Sequence, residues 1–262
     1  MSNLNLNNIQ DFIVSWLKDY LDKTSLEGYV VGVSGGVDSA LTSSLCAMTG
    51  RSVTLVNMPI RQTSSEYNRA KKHILNLEKR FNNVKGLEVD LTASFNQLET
   101  DLPKESATHD LAMANTRARL RMLTLYAIGQ PKGLLVAGTG NKVEDFGVGF
   151  FTKYGDGGVD LSPIADLMKS EVFALAKHVG VIEDILQAKP TDGLWDDDRN
   201  DEDQIGASYD ELEWAMTFKG DKTHLTEREK EVIEIYNKYH RVNLHKMKPI
   251  PICIIPEELK IS

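Results

Sequence analysis

The stretch Val30-Val31-Gly32-Val33-Ser34-Gly35-Gly36-Val37-Asp38-Ser39-Ala40 constrains this chain more than any other. Tyr29 to Val33 are β-branched or aromatic apart from Gly32, the make-up of a strand buried on both faces. Ser34-Gly35-Gly36 then stops the apolar run. Glycine reaches backbone conformations closed to other residues and lets a ligand approach the main chain. Asp38 and Ser39 fall at the first turn of the next helix, where free N–H groups and the helix dipole favour an anion. Strand, glycine turn and helix N-terminus together make a phosphate cradle. It is not a Walker A loop, because no lysine follows the glycines, and no Gly-x-Gly-x-x-Gly fingerprint is present. An ordinary βα turn capped by Asp38 and Ser39 would explain two glycines. It does not explain the full Ser-Gly-Gly-Val-Asp-Ser pattern after an apolar strand.

The 262 residues, 41% hydrophobic and 26% charged, have a soluble globular composition. No Pro/Gly/Ser-rich linker divides them, so a single α/β domain over 1–262 is expected. The formal net charge of −8 argues against a broad nucleic-acid footprint. The two cysteines, Cys46 and Cys253, lie far apart, which fits a reducing cytoplasm better than a disulfide framework or a zinc site. No signal peptide is visible, and no apolar run approaches the roughly 20 residues that span a bilayer.

Apolar spacing predicts a first helix through Ile9, Phe12, Ile13, Trp16, Leu17 and Tyr20, capped by Asn7 or Asn8, with this stripe facing the core. Further helices are expected over 40–48, 63–82, 92–98, 106–130, 169–180, 208–219 and 225–241. Strands are expected over 52–57, 86–91 and 133–138. Strands alternating with helices give a three-layer, doubly wound parallel sheet with helices on both faces. Ligands in such sheets sit beyond the carboxyl ends of the strands. If the first and fourth strands flank the switch in strand order, the phosphate turn and the loop from Thr139 line one pocket. That loop, 139–163, is long enough to imply function. Residues 190–206 hold seven acidic residues and Trp195, either as a disordered loop or as a lid over substrate. Residues Ile250 to Ile255 form an apolar segment expected to pack down.

Further blocks narrow the reading. They are Gly-Thr-Gly-Asn-Lys-Val-Glu at 138–144, Gly-Phe-Phe-Thr-Lys-Tyr-Gly-Asp-Gly-Gly-Val-Asp at 149–160, Lys169, Lys-Pro-Thr at 189–191, Gly-Ala-Ser-Tyr-Asp-Glu-Leu at 206–212 and His245-Lys246. With the phosphate turn, this series resembles the bacterial ammonia-dependent NAD synthetases of the ATP pyrophosphatase superfamily. The resemblance covers nearly the whole chain. It implies the adenine nucleotide alpha hydrolase-like fold and conversion of deamido-NAD, ATP and ammonia to NAD, AMP and pyrophosphate. It also implies a magnesium ion and a homodimer with substrate near the subunit interface. Only about thirty residues precede the turn, so no glutaminase domain is expected. Many members carry Asp-His-Ala-Ala-Glu where this chain has Gly140-Asn141-Lys142-Val143-Glu144, and here the stretch after the glutamate is one residue longer.

The resemblance also implies roles. Gly32, Val33, Ser34, Gly35, Gly36, Val37, Asp38 and Ser39 would hold ATP phosphates. Thr139 and Thr191 would bond ATP, and Lys169 would supply the cation that the turn lacks. Asp38 and Glu144 would ligate magnesium. Arg119, Lys153, Asp160, His245 and Lys246 would contact deamido-NAD, whose pyrophosphate and nicotinate carboxylate are anionic. Ammonium has no lone pair, so a carboxylate must take its proton, and Asp156 between two glycines is the candidate. Two rivals remain. A tRNA-modifying or GMP synthetase-like enzyme would share the turn, but the expected cysteine pairs and basic appendage are missing. A nucleotide sensor without turnover would have little use for Asp38, Glu144, Lys153 and Lys169 together.

Overall fold

The structure is a computed structural model that describes residues 4–188 and 201–260. Along the chain run α1 (Leu6–Asp22), β1 (Gly28–Gly32), α2 (Val37–Met48), β2 (Ser52–Asn57), α3 (Ser64–Arg80) and β3 (Val84–Glu88). Then come α4 (Thr92–Asp101), α5 (Lys104–Ala107), α6 (Asp110–Gly129), β4 (Leu134–Val136), α7 (Lys169–His178) and α8 (Glu183–Leu186). The last helices are α9 (Asp201–Ile205), α10 (Tyr209–Thr217) and α11 (Glu227–Met247).

Alternation along the strands decides the architecture. Tyr29 and Val31 join one hydrophobic cluster and Val30 the other. Val53 and Leu55 oppose Val56 in the same way, and Leu135 opposes Leu134 and Val136. Strands apolar on both faces require cover on both. Helices α1, α2, α3 and α7 supply one layer, with Leu17, Leu41, Leu45, Leu77 and Leu175 in its core. Helices α4 and α6 supply the other, with Phe95 and Met113.

The sheet is parallel, in the order β3-β2-β1-β4. The chain steps outward from β1 to β3 under one layer, then returns to β4 under the other. The strand order therefore reverses between β1 and β4, and the loops leaving them open onto one crevice. The doubly wound sheet expected from the sequence is the one found.

Several local expectations need correction. Asn5, not Asn7 or Asn8, caps α1 by accepting the Asn8 N–H at 3.1 Å. The apolar stripe of α1 is two rows: Ile13, Leu17 and Leu21 are buried, while Phe12, Trp16 and Tyr20 face solvent. The helix expected over 106–130 is broken at Thr108, because His109 Nδ1 accepts the Ala112 N–H and starts α6 afresh. Helix α11 continues past residue 241 and carries His245 and Lys246 on its last turn. Ile250, Ile252, Ile254 and Ile255 are exposed, so that segment does not pack down; Pro249 and Pro251 deprive it of backbone donors. The stretch 189–200, with Thr191 and Trp195, lies outside the described residues. Its continuation, 201–205, is helix α9 with Asp201 buried, not loop.

The long loop after β4 contains a π turn, Val143–Val148. Such a turn accommodates one extra residue within a helical segment.

Under α2, buried His73 shares a 2.9 Å hydrogen bond with Ser43 Oγ. Burial pushes its pKa down to about 4. An unfolded chain therefore takes up a proton near pH 6.5 that the folded chain refuses until about pH 4. Stability falls as pH drops through that window, by about 3 kcal/mol in all. Urea unfolding across pH 4–7 should show His73→Gln taking up close to one proton fewer on unfolding than the parent.

Candidate active site

The phosphate turn holds its shape through its own serines. Ser34 Oγ accepts the Gly36 N–H at 3.2 Å and lies 3.1 Å from Ser39 Oγ, which donates to the Gly36 carbonyl at 3.0 Å. Gly35 sits at φ +90°, against the backbone of α3. No side chain caps α2 at Gly36, so its first N–H groups are left for a ligand. The turn forms one wall of a cleft of about 220 Å³. Thr139 and Gly140 from the end of β4 form another, with Glu144, Asp145, Asp156 and Lys169 around them.

At its base is a charge cluster. Lys169, at the start of α7, is only 3% exposed. Its Nζ donates to Asp38 Oδ2 at 2.7 Å and to Glu144 Oε1 at 2.8 Å. It is therefore not the solvated lysine that its position at a helix start allows. Burial opposes its charge, but the two carboxylates outweigh burial and raise its pKa above the ordinary lysine value. Burial lifts Asp38 above its usual range despite Lys169. Glu144 is held below its usual range, since Lys169 and Tyr209 more than offset burial. Asp156 opens onto the cleft, yet the enclosing walls push its carboxyl up to about 6, against a 2.9 Å bond from the Thr152 N–H. Burial, then the charges of Glu144, Asp156 and Asp38, push Asp145 up to about 8.

Of the residues predicted from sequence, Gly32, Val33, Ser34, Gly36, Val37, Asp38, Ser39, Thr139, Glu144, Asp156 and Lys169 line the cleft. Arg119, Lys153, Asp160, His245 and Lys246 are not on that wall. Arg119 is exposed and reaches the Lys153 carbonyl at 3.4 Å, while Arg121, one helical turn from Arg117, lines the cleft instead. Lys153 Nζ donates to the His245 carbonyl and Lys246 Nζ to the Phe151 carbonyl, which ties the end of α11 to the loop. Asp160 serves β4: its carboxylate accepts the Val136 N–H at 2.8 Å and the Tyr126 hydroxyl at 3.0 Å.

The NAD synthase family profile matches residues 9–250. The chain belongs to the NAD synthase family. It is 32% identical to the NH(3)-dependent NAD(+) synthetase of Mesoplasma florum, over 98% of this chain and 99% of that one. The solved NMN synthetase of Francisella tularensis superposes with a TM-score of 0.84 at 30% identity, covering 97% and 99% of the two chains. The NH3-dependent NAD synthetase of Campylobacter jejuni superposes at 0.76 with 24% identity, covering 96% and 100%, which is a likeness of fold.

Two residues bonded to the carboxylates of this NAD synthase cleft escaped the sequence reading. Asn141 is fully buried; its Nδ2 donates to Asp38 Oδ1 at 2.9 Å, and its Oδ1 accepts the Val143 and Glu144 N–H groups at 3.1 Å. One amide thus fixes both carboxylate-bearing segments. The Tyr209 hydroxyl donates to Glu144 Oε1 at 2.6 Å and lies 3.2 Å from Asp201 Oδ2, with Lys169 Nζ 4.6 Å from its ring centre. Both residues lie inside the blocks that carried the resemblance; only the fold shows what they touch.

Magnesium prefers anionic oxygen donors completed by phosphate and water. The Asp38 and Glu144 oxygens already converge on one cationic atom, Lys169 Nζ, so this donor set suits it. Among the described residues, no three or more His, Cys, Asp or Glu side chains form a metal cage.

Proposed function

We propose that this chain amidates the nicotinate carboxylate of deamido-NAD with ammonia, forming NAD while ATP is split to AMP and pyrophosphate. The observation that carries this reading is the convergence of the glycine turn, two carboxylates and a buried lysine at the switch point of the sheet. In the first half-reaction a carboxylate oxygen of the substrate bonds to the α-phosphorus, the bond to the β-phosphate breaks, and pyrophosphate leaves. In the second, ammonium gives one proton to a carboxylate, for which Asp156 is placed on the cleft wall. Ammonia attacks the acyl carbon, AMP leaves with the shared oxygen, and the new amide sheds a second proton.

The turn from Gly32 to Ser39 orients the phosphates on the α2 N-terminus. Asp38 and Glu144 would hold magnesium, which offsets charge on the phosphates. Lys169 keeps those carboxylates in place and adds cationic charge beside the phosphates. Thr139 would bond ATP, and so would Thr191, outside the described residues. Arg119, Lys153, His245 and Lys246 form a basic rim beyond the cleft, suited to the far phosphate and nucleotide of deamido-NAD. The exposed row Phe12, Trp16 and Tyr20 on α1 supports a homodimer. The free cysteines Cys46 and Cys253 support a cytoplasmic place, and no described helix is long and apolar enough to cross a membrane. Free ammonia is the nitrogen source, and the chain acts as a single synthetase unit.

A second reading is favoured by the superposition on the Francisella NMN synthetase: the same amidation on nicotinate mononucleotide. One assay separates them. Protein, magnesium-ATP and ammonium are mixed with either dinucleotide or mononucleotide, and amide product, AMP and pyrophosphate are followed. NAD formed with matching AMP supports the first reading. A higher kcat/KM for the mononucleotide replaces it with the second. Pyrophosphate released only with tRNA or XMP overturns both.

A further inference from the structure

Tyr209 does not line the cleft, yet it meets the charge cluster at two points. Its hydroxyl donates to Glu144 Oε1 at 2.6 Å, and its ring centre lies 4.6 Å from Lys169 Nζ. A phenol suits both contacts. It gives the carboxylate a donor without adding charge, and its ring face attracts the lysine ammonium. Lys169 Nζ donates to the same Oε1 at 2.8 Å. Two donors converge on one oxygen, which fixes the rotation of the Glu144 carboxylate more firmly than either would alone.

Tyr209 is itself held in place. It is 6% exposed and packs in one cluster with Val143, Leu212 and Val232. Its backbone N–H donates to Glu202 Oε1 at 2.8 Å. One turn further along α10, Glu213 accepts the Ser170 N–H and the Ser170 hydroxyl, each at 2.7 Å. Positions 209 and 213 share a helix face. That face of α10 is therefore pinned both to Glu144 and to the residue that follows Lys169. The hydroxyl has a second acceptor, Asp201 Oδ2, but at 3.2 Å it is the farther of the two.

We infer that Tyr209 is a positioning residue, whose hydroxyl orients the Glu144 carboxylate and so sets the affinity of the cleft for its divalent cation. The inference rests on the placement of magnesium at Asp38 and Glu144 given above. Tyr209 touches neither substrate nor metal in this assignment; it acts only through Glu144.

The test is direct metal binding by the full chain. Manganese is the probe, followed by electron paramagnetic resonance, with an ATP analogue present whose α,β bridge cannot be cleaved. Tyr209→Phe keeps the ring and removes the hydroxyl. It is expected to raise the manganese dissociation constant about 10- to 100-fold, the effect typical of losing a hydrogen-bond partner of a metal ligand. Binding of the analogue in the presence of chelator stays within about twofold of the parent. In a Glu144→Gln background the same substitution changes manganese binding by less than about twofold, because the carboxylate it acts through is gone. A merely structural role would weaken the analogue too, and would persist in that background. Unchanged manganese binding in a folded Tyr209→Phe protein overturns the assignment, and so does an equal loss in both backgrounds. If Tyr209→Phe does not fold, Tyr209→Met, equally without a donor but more adaptable in packing, is judged by the same outcomes. A parent protein that binds no manganese overturns the magnesium placement together with this assignment. A parent that binds manganese but forms no amide refutes the amidation reading alone.

Discussion

Lys169→Met is expected to cost about 3–5 kcal/mol of stability, because it strands the carboxylates of Asp38 and Glu144 without their shared cation. Turnover should fall by about 10²- to 10³-fold, the loss typical when a preorganised charge is removed from a reacting site. The side chain is almost wholly buried, so water cannot take over for the missing ammonium. Urea unfolding should show a lower midpoint at unchanged slope. Adding Glu144→Gln to this variant should recover part of the stability while leaving turnover low, since it removes one of the two unpaired charges. A Lys169→Met protein as stable as the parent would contradict the charge cluster described above.

Gly35→Ala should be the most damaging single methyl in the phosphate turn. At φ +90° an L side chain is strained, and its Cβ would meet the Glu66 carbonyl oxygen at 2.6 Å and the Ala70 nitrogen at 3.1 Å. Both neighbours are backbone atoms of α3, which cannot step aside alone. The strain costs about 1–3 kcal/mol. Relief by shifting the turn would break the bonds from Arg69 Nε to the Gly35 carbonyl and from Gln62 Nε2 to the Ser34 carbonyl. Thermal unfolding and ATP titration should both report the loss, with ATP affinity down about 10-fold or more. Gly36→Ala is the control for folding: its Cβ would meet only Ser34 Oγ, at 3.4 Å. Equal melting temperatures for the two variants would show that the turn is not held against α3.

What could be read from the chain alone divides by range. β1, the glycine turn and α2 follow from neighbouring residues, and β2 was expected over 52–57, the span it occupies. The cleft wall from Gly32 to Ser39 was legible for the same reason. The strand order was not, since it depends on which layer α6 joins. Asn141 and Tyr209 read as a loop amide and a helix tyrosine; their work lies in bonds to residues 103 and 65 positions away. The resemblance assigns Asp160 to deamido-NAD; that its carboxylate also accepts the Val136 N–H of β4 is a long-range contact that only the fold shows. The exposure of Ile250, Ile252, Ile254 and Ile255 runs against their hydropathy, and Pro249 and Pro251 are the local feature that goes with it.

The two bonds of Lys169 do not go to the same part of the molecule. Lys169 and Asp38 stand on α7 and α2, which are rooted in the sheet through Val172, Leu175, Leu41 and Leu45. Glu144 belongs to a separate apolar nucleus, in which Val143 and Val148 pack with Tyr209, Leu212, Val232 and Ile233. The ion pair to Glu144 is therefore a latch across a seam, and the spacing of the two carboxylates gauges how that nucleus is seated. Any ligand that grips both carboxylates includes the seating in its affinity. Residues of α10 and α11 that line no part of the cleft therefore bear on that affinity.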